Sequence, residues 1–341
     1  MTRFIGLLGA TGYTGRLVAD ELANRNISHR RGGRNRARLD SLPTTPNAET
    51  VEVDASNPIE LDAFCDGLDV LITTVGPFAD LGMPVVEAAV RNNTHYVDST
   101  GEPDFMSDVY EKYADAPVAV VPACGYDYLP GDCAAALAAR KLGSDGDPID
   151  VVVAYEVKGF RPSRGTAKST LGAIAPGATR LERTTVAFPE GKKDAVAVPL
   201  GERLTVPLHL PNARVTTAFV ARPGVAAAAD FLGPAAGAFG ALMRGAGPVL
   251  RRFTDRMSEG PDEETRKKAR FRILAEARRG PARSAVLVEG SDVYQLTAVL
   301  LVEAALRVQG KGALAPAGAV EPRDFLDVVS GSGLLSWRYV D

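Results

Sequence analysis

Three stretches of the sequence gather side chains or spacings that could do chemistry. In Cys124-Gly125-Tyr126-Asp127-Tyr128-Leu129-Pro130-Gly131-Asp132, a thiol, two phenols and two carboxylates fall within nine residues. Tyr126 or Tyr128 could supply a proton or orient a water, and Cys124 could line a nucleotide or act as a nucleophile. A packing role is the alternative: the tyrosines beneath a lid, Cys124 as a small buried apolar group. In Ser163-Arg164-Gly165-Thr166-Ala167-Lys168-Ser169-Thr170, two basic side chains and four hydroxyls open an expected helix. Lys168 there would bind an anionic or carbonyl group, unless the stretch is a plain polar helix start. The third stretch, Gly9-Ala10-Thr11-Gly12-Tyr13-Thr14-Gly15, has the glycine spacing of a nucleotide-phosphate cradle.

The elements around this third stretch are the ones a cradle needs. Phe4–Leu8 is an apolar run that reads as a strand, and Arg16–Ala23 reads as a helix. Gly9 permits the tight turn, Gly12 lets backbone approach a pyrophosphate, and Gly15 lets the helix pack on the strand. The free N–H groups of the helix start, with Thr11, Tyr13 and Thr14, face the anion. A second strand should end about twenty residues past Gly15, where an NAD enzyme places an acid for the ribose hydroxyls. No acid stands there. Five arginines fall instead between Arg30 and Arg38, and the turn Gly33-Arg34-Asn35 offers a guanidinium that could fork onto a 2′-phosphate. That favours NADP(H) over NAD; a solvated basic loop is the other reading.

The remaining strands extend a parallel sheet. Thr50–Asp54 reads as a third strand, with Asp54 near an adenine or in a loop, followed by Asn57-Pro58 and Glu60 as a helix-start signal. Asp69–Thr74 is an apolar run ending at Val75-Gly76-Pro77. In a doubly wound sheet this strand neighbours the first across the switch point, so Thr74, Val75 and Gly76 become candidate cofactor contacts. His95–Asp98 and Val118–Ala123 read as two further strands, the second delivering the Cys124–Asp132 cluster to the edge where such sheets bind ligands.

Taken together, these motifs resemble the saccharopine dehydrogenase-like oxidoreductases. The residues that carry the likeness are Gly9–Gly15, Gly33-Arg34-Asn35, Val75-Gly76-Pro77-Phe78, Thr94-His95-Tyr96-Val97-Asp98 and Cys124–Pro130, in that order. The pattern is most like the actinobacterial trans-acting enoyl reductases. It covers about the first 140 residues and is looser over Glu289–Asp292 and Gly312–Pro316. The resemblance implies an NADP-dependent reductase. Saccharopine-type members reduce an imine, enoyl reductase members saturate a C=C bond on a polyketide-derived acyl chain, and the last helices often return to the nucleotide domain.

From Ile149 the texture changes to short strands: 151–157, 184–188, 195–200, 204–208 and 214–220, with a hairpin over 270–277 and 284–289. Short connections predict a mostly antiparallel sheet. The expected organisation is a Rossmann-type doubly wound α/β domain over 1–146, an α+β substrate or dimerisation domain over 147–290, and a helical segment over 291–341 returning to the first. Residues 224–253 are rich in Ala, Gly, Phe and Leu, and suit a substrate channel, a peripheral membrane contact, a packed helix pair or a homodimer interface.

Competing chemistries meet specific obstacles. No tyrosine has a lysine four residues on, as short-chain dehydrogenases require. A Cys-dependent semialdehyde dehydrogenase could use Cys124 with His209, but its usual cysteine setting is missing and His209 falls in an expected strand. A protein that senses NADP without turnover remains a third option.

A chain of 341 residues suits two cores. A net charge of -3 gives no reason to expect nucleic acid, and three scattered cysteines suggest neither disulfides nor zinc, so no metal is expected. A strand follows almost at once on Met1, which leaves no room for a signal peptide, and no apolar run reaches membrane-spanning length. The expectation is a cytoplasmic NADPH-dependent reductase acting on a small-molecule or acyl-chain substrate.

Overall fold

The computed structural model describes residues 3–143, 148–167, 182–221 and 257–340. The chain divides into two compact units, Met1–Leu129 with Tyr294–Glu321, and Pro130–Val293 with Pro322–Asp341. Lys168 and the 224–253 stretch lie outside the described residues.

The first unit is built on a parallel sheet. Its strands are β1 (Ile5–Leu8), β2 (His29–Gly33), β3 (Ala48–Glu52), β4 (Val70–Thr73), β5 (His95–Asp98), β6 (Ala119–Val121) and β13 (Gly312–Ala313), in the order β13-β6-β5-β4-β1-β2-β3. β1 lies between β2 and β4, with Ile5 opposite His29 on one side and Val70 on the other. This is the reversal of winding that the glycine turn after β1 calls for. β1 and β4 are buried along their whole length, which is why they read as unbroken apolar runs rather than alternating ones.

Helices α1 (Tyr13–Asn24), α2 (Arg36–Asp40), α3 (Pro58–Cys65), α4 (Phe78–Arg91) and α5 (Pro103–Lys112) connect the strands. α3 begins as its residue types dictate. The Asn57 side chain accepts from the N–H groups of Ile59 and Glu60, Pro58 opens the helix, and Glu60 reaches back to the Asp54 N–H.

The second unit carries β7 (Ile149–Lys158), β8 (Glu182–Phe188), β9 (Gly191–Ala197), β10 (Ala213–Val220), β11 (Arg270–Arg279), β12 (Ala282–Ser291) and β14 (Leu335–Tyr339). They form one sheet in the order β14-β12-β11-β7-β10-β9-β8. Only the β7–β10 pair is parallel; the five other pairings are antiparallel. The mixed α/β and α+β class matches the expectation.

One expected strand is a helix. Leu204, Val206 and Leu208 alternate like a half-buried strand, yet α7 spans Glu202–His209. The polar residues decide it. Glu202, Thr205 and His209 fall on one helical face, and each finds a buried partner. As a strand the same three residues could not share a face, and Leu208 accordingly ends up exposed. The strand expected over 195–200 is β9, shifted toward the chain start and ending at Ala197.

α6 (Leu129–Lys141), α8 (Glu263–Lys268), α9 (Val293–Arg307), α10 (Pro316–Ala319) and α11 (Pro322–Ser330) complete the helices described. Among the described residues no helix is long and apolar enough to cross a membrane.

Candidate cofactor and reaction site

The glycine turn is closed by its own backbone. Gly9 and Ala10 donate to the Gly32 carbonyl at 2.9 and 3.1 Å, and Gly12 donates to the Gly9 carbonyl at 2.9 Å. Gly9 has φ +88, a conformation costly for any residue with a Cβ. A Cβ on Gly15 would collide with the Gly9 carbonyl oxygen, so this glycine sets how closely α1 meets β1. Gly12 caps α1 without a side-chain acceptor, and no acid occupies the first turn. The helix start therefore keeps its positive end for an external anion. The chemistry and clearances of the turn fit a dinucleotide pyrophosphate.

The arginine cluster separates into structural and available members. Arg30 is held by Glu49 and the carbonyls of Phe64 and Asp66. Arg31 is buried and donates to Pro43 and Thr50. Arg36 pairs with Asp40 at 2.9 Å, and Arg38 reaches the Thr11 carbonyl at 3.3 Å. Arg34 is exposed at the carboxyl end of β2 with no hydrogen-bond partner among the described residues. Asn35 is not free for a ligand by its oxygen, which caps α2 at the Arg38 N–H. Asp54 is exposed. The N–H and hydroxyl of Ser56 bind its carboxylate and, with Arg34 nearby, hold it below the usual carboxylate range.

At the carboxyl end of β4, Thr74 donates its N–H to Leu8 at 3.0 Å. A Cβ on Gly9 would lie 2.8 Å from Thr74 Oγ1 and 2.9 Å from Val75 Cγ2, so the two turns touch. The fold thus brings Gly9–Gly15 together with Thr74–Gly76 directly, and with Arg34 through Gly33, whose Cβ position lies 3.5 Å from Thr11 Oγ1.

The Cys124 cluster follows β6, two strand spacings from β4, about 10 Å along the same sheet edge. Its turn is reinforced by carboxylates that sequence reasoning missed. Asp98 is fully buried and accepts from Tyr96 Oη at 2.7 Å, the Thr100 N–H at 2.9 Å and the Ala123 N–H at 2.8 Å. Burial pushes its carboxyl up to about 6 against the pull of those donors. Glu102 accepts from the N–H groups of Phe78 and Ala79 at the start of α4. Two acids thereby tie the ends of β4, β5 and β6 together.

Within the turn the side chains divide sharply. Cys124 is buried and its thiol donates to the Val121 carbonyl at 3.4 Å. Tyr128 is buried with its hydroxyl donating to the Gly101 carbonyl at 3.2 Å, and Tyr126 is buried with its N–H bound to Thr297 Oγ1. Asp127 alone between Cys124 and Asp132 is exposed. Protein nonetheless crowds its carboxyl, and poor solvation raises it to about 6. Its polar end lies near Gly101, where an added Cβ would come within 3.6 Å of Oδ2.

In the second unit, Asp132 is buried in the first turn of α6 and accepts from Thr205 Oγ1 and His209 Nε2, each at 2.8 Å. Glu202 is buried and accepts from Tyr155 Oη beside Gly131, where a Cβ would lie 2.7 Å from both oxygens. His209 is therefore committed to Asp132. The Arg164 guanidinium donates to the Met257 carbonyl.

Comparisons with known proteins agree with this arrangement. Residues 5–123 match the saccharopine dehydrogenase NADP binding domain. The chain is 35% identical over 153 residues to a trans-acting enoyl reductase of Mycobacterium tuberculosis, covering 42% of this chain and 37% of that protein. It is 39% identical over 139 residues to a trans-acting enoyl reductase of Mycobacterium leprae, covering 38% of this chain and 33% of that protein. The matched segment is about a third of the length of these relatives. Among solved structures, a saccharopine dehydrogenase (L-Glu forming) from Saccharomyces cerevisiae aligns with TM-score 0.62 over 99% of this chain and 100% of that one. At 14% identity that likeness is one of fold.

Proposed function

We propose, from the NADP binding domain of saccharopine dehydrogenase type over residues 5–123, that the chain is an NADPH-dependent reductase of an activated C=C bond. The substrate class is an enoyl group on a polyketide- or lipid-like chain. The observation that carries the reductase reading is the assembly of one sheet edge. An anion-accepting glycine turn after β1, an available Arg34 after β2 and Asp127 in the turn after β6 stand along the carboxyl edge of one parallel sheet. The enoyl preference rests on the likeness to trans-acting enoyl reductases over the same residues.

Bound NADPH would supply a hydride; the residues supply position and a proton. Gly9, Thr11, Gly12, Tyr13, Thr14 and Gly15 bind the pyrophosphate through backbone N–H groups and the helix end. Arg34 would hold the 2′-phosphate, Asn35 and Asp54 would lie toward the adenosine, and Thr74, Val75, Gly76 and Cys124 would lie toward the nicotinamide. Saturating the enoyl group would also need a proton for the α-carbon, which the protein must provide. Sequence reasoning gave that proton to Tyr126 or Tyr128. Tyr128 spends its hydroxyl on Gly101, and both rings are buried. Asp127 is the better donor, exposed and with its carboxyl raised toward neutrality. Lys168 keeps a proposed role toward an anionic or carbonyl group. A reducing cytoplasm suits the three buried cysteine thiols.

The test is NADPH oxidation with trans-2-enoyl thioesters of increasing chain length, set against an amino acid plus semialdehyde pair. Saturation of the thioester with loss of NADPH absorbance supports the reading. Turnover only with the imine-forming pair would replace it by C=N reduction, and binding of NADPH with no acceptor oxidising it would leave a sensor. The cysteine-dependent dehydrogenase lacks support, since Cys124 is buried against Val121 and His209 is held by Asp132.

A further inference from the structure

Helix α9 enters the first unit from the far end of the chain, and its first turns meet two parts of the candidate site. The ring of Tyr294 packs edge-on against Tyr13 of the glycine turn, centroids 5.0 Å apart and planes at 88°. Three residues on, and so on the same helical face, Thr297 Oγ1 accepts from the Tyr126 N–H at 3.2 Å. Gly125 makes room for this approach: a Cβ there would lie 3.3 Å from Thr297 Cγ2.

The helix is well placed to act as a fixed reference. Glu303 is buried and bridges Arg25 of the α1 end, at 2.6 Å, with Arg307. Arg3 holds its last turn through the carbonyls of Ala305 and Val308, each at 2.7 Å. The helix is thus fastened at its middle and its end, so its first turns can hold loops without giving way.

We infer that Tyr294 and Thr297 are positioning residues of the site, Tyr294 steadying the cofactor turn at Tyr13 and Thr297 steadying the turn that presents Asp127. This rests on the assignment of those two turns to cofactor and proton donor. The division of labour is specific. Thr297 acts on a backbone N–H one residue before Asp127, whereas Tyr294 touches only an aromatic ring of the glycine turn.

The test separates the two contacts with readouts that need no turnover. NADPH affinity is measured by its fluorescence, and the Asp127 carboxyl is titrated by carbon NMR against an Asp127→Asn reference. Thr297→Val keeps the shape and removes the acceptor; it should move the Asp127 midpoint by about half a pH unit and leave NADPH affinity within about twofold. Thr297→Ser should restore the wild-type midpoint, and Gly125→Ala, pressing on Thr297 from the other side, should disturb it again. Tyr294→Leu should weaken NADPH about fivefold with the Asp127 midpoint unchanged. Melting temperatures of all variants control for loss of fold. Should Thr297→Val leave Asp127 unmoved, or Tyr294→Leu leave NADPH affinity unmoved, in folded protein, the corresponding assignment fails. Equal effects of both variants on both readouts would reduce α9 to plain packing. Failure of the enoyl assay would remove the proposed reaction without touching these outcomes.

Discussion

The sharpest prediction concerns Arg34→Ala. Of the five arginines between Arg30 and Arg38, three are spent: Arg30 on Glu49 and two carbonyls, Arg31 inside the fold, Arg36 on Asp40. A fourth, Arg38, leans on the Thr11 carbonyl. Arg34 is left to meet a 2′-phosphate with a charge-assisted fork. Such bonds contribute roughly 1.5–3 kcal/mol, and exposure at the strand end puts this one near the lower figure because water and salt screen it. About 1.5–2 kcal/mol is a loss of about 10- to 30-fold in NADPH affinity at 25 °C. NADH lacks the phosphate and should lose less than about twofold. Titrations of cofactor fluorescence at low and high salt give both numbers, and the NADPH loss should shrink as salt rises. Arg36→Ala, which breaks only a solvent-exposed pair, should change neither cofactor. An equal loss for NADPH and NADH on Arg34→Ala would refute the 2′-phosphate assignment, and an Arg36→Ala effect of the same size would make the cluster a diffuse basic field.

Other expectations follow from the same geometry. Gly15→Ala should lower stability by about 1–3 kcal/mol and abolish measurable NADPH binding, because its Cβ meets the Gly9 carbonyl oxygen; thermal melts with and without NADPH read both effects. Asp127→Asn should cut reductase turnover and remove the limb of the pH profile in which rate rises as pH falls toward 6, while NADPH affinity holds; an unchanged profile excludes Asp127 as proton donor. For Asp98 the folded-state value of about 6 lies above the ordinary 3.8, so the folded protein binds the extra proton and this group destabilises increasingly as pH rises from about 4 to 6. Asp98→Asn, with one oxygen still able to accept from Thr100 and Ala123, should therefore compare best with wild type above pH 6 and worst near pH 4 in denaturant titrations. Asp132→Ala strands the buried donors of Thr205 and His209 and should cost about 2–4 kcal/mol of stability; a loss under about 0.5 kcal/mol would mean the α6–α7 latch is unimportant.

What could be read in the sequence was what local chemistry decides. The turn after β1 needs Gly9 at positive φ and Gly15 without a Cβ, and both needs are met by residues within the motif itself. The start of α3 is equally local, since Asn57, Pro58 and Glu60 cap the helix they open. The parallel sheet follows from buried strands that read as continuous apolar runs. The misread element, α7, shows the limit of the same logic. Its apolar residues alternate with a strand's period, and only partners at Asp132 and Tyr155 reveal that its polar residues keep a helix's. Propensity and pattern yield there to buried hydrogen bonds, whose loss would cost more than an exposed Leu208.

The candidate site divides along the same line. Residues proposed to bind by backbone or by charge, Gly12 and Arg34, are marked by spacing and type. Residues that aim others do not. Asp98 and Glu102 look like ordinary acids in a loop, but each accepts backbone N–H groups from residues more than twenty positions away, which no local pattern records. Thr297 acts across 171 residues. The same distinction separates Asp127 from the tyrosines beside it. Tyrosines attract attention as acid–base groups, yet a tyrosine whose hydroxyl is bonded to a carbonyl, as Tyr128 is to Gly101, must break that bond before it can serve. At Asp127 poor solvation raises the carboxyl to about 6, nearer the pH at which it would hand over a proton. If Asp127 is the proton donor, Asp98 and Thr297, which fix the backbone on either side of Cys124, should when perturbed change proton affinity at Asp127 before they change cofactor binding.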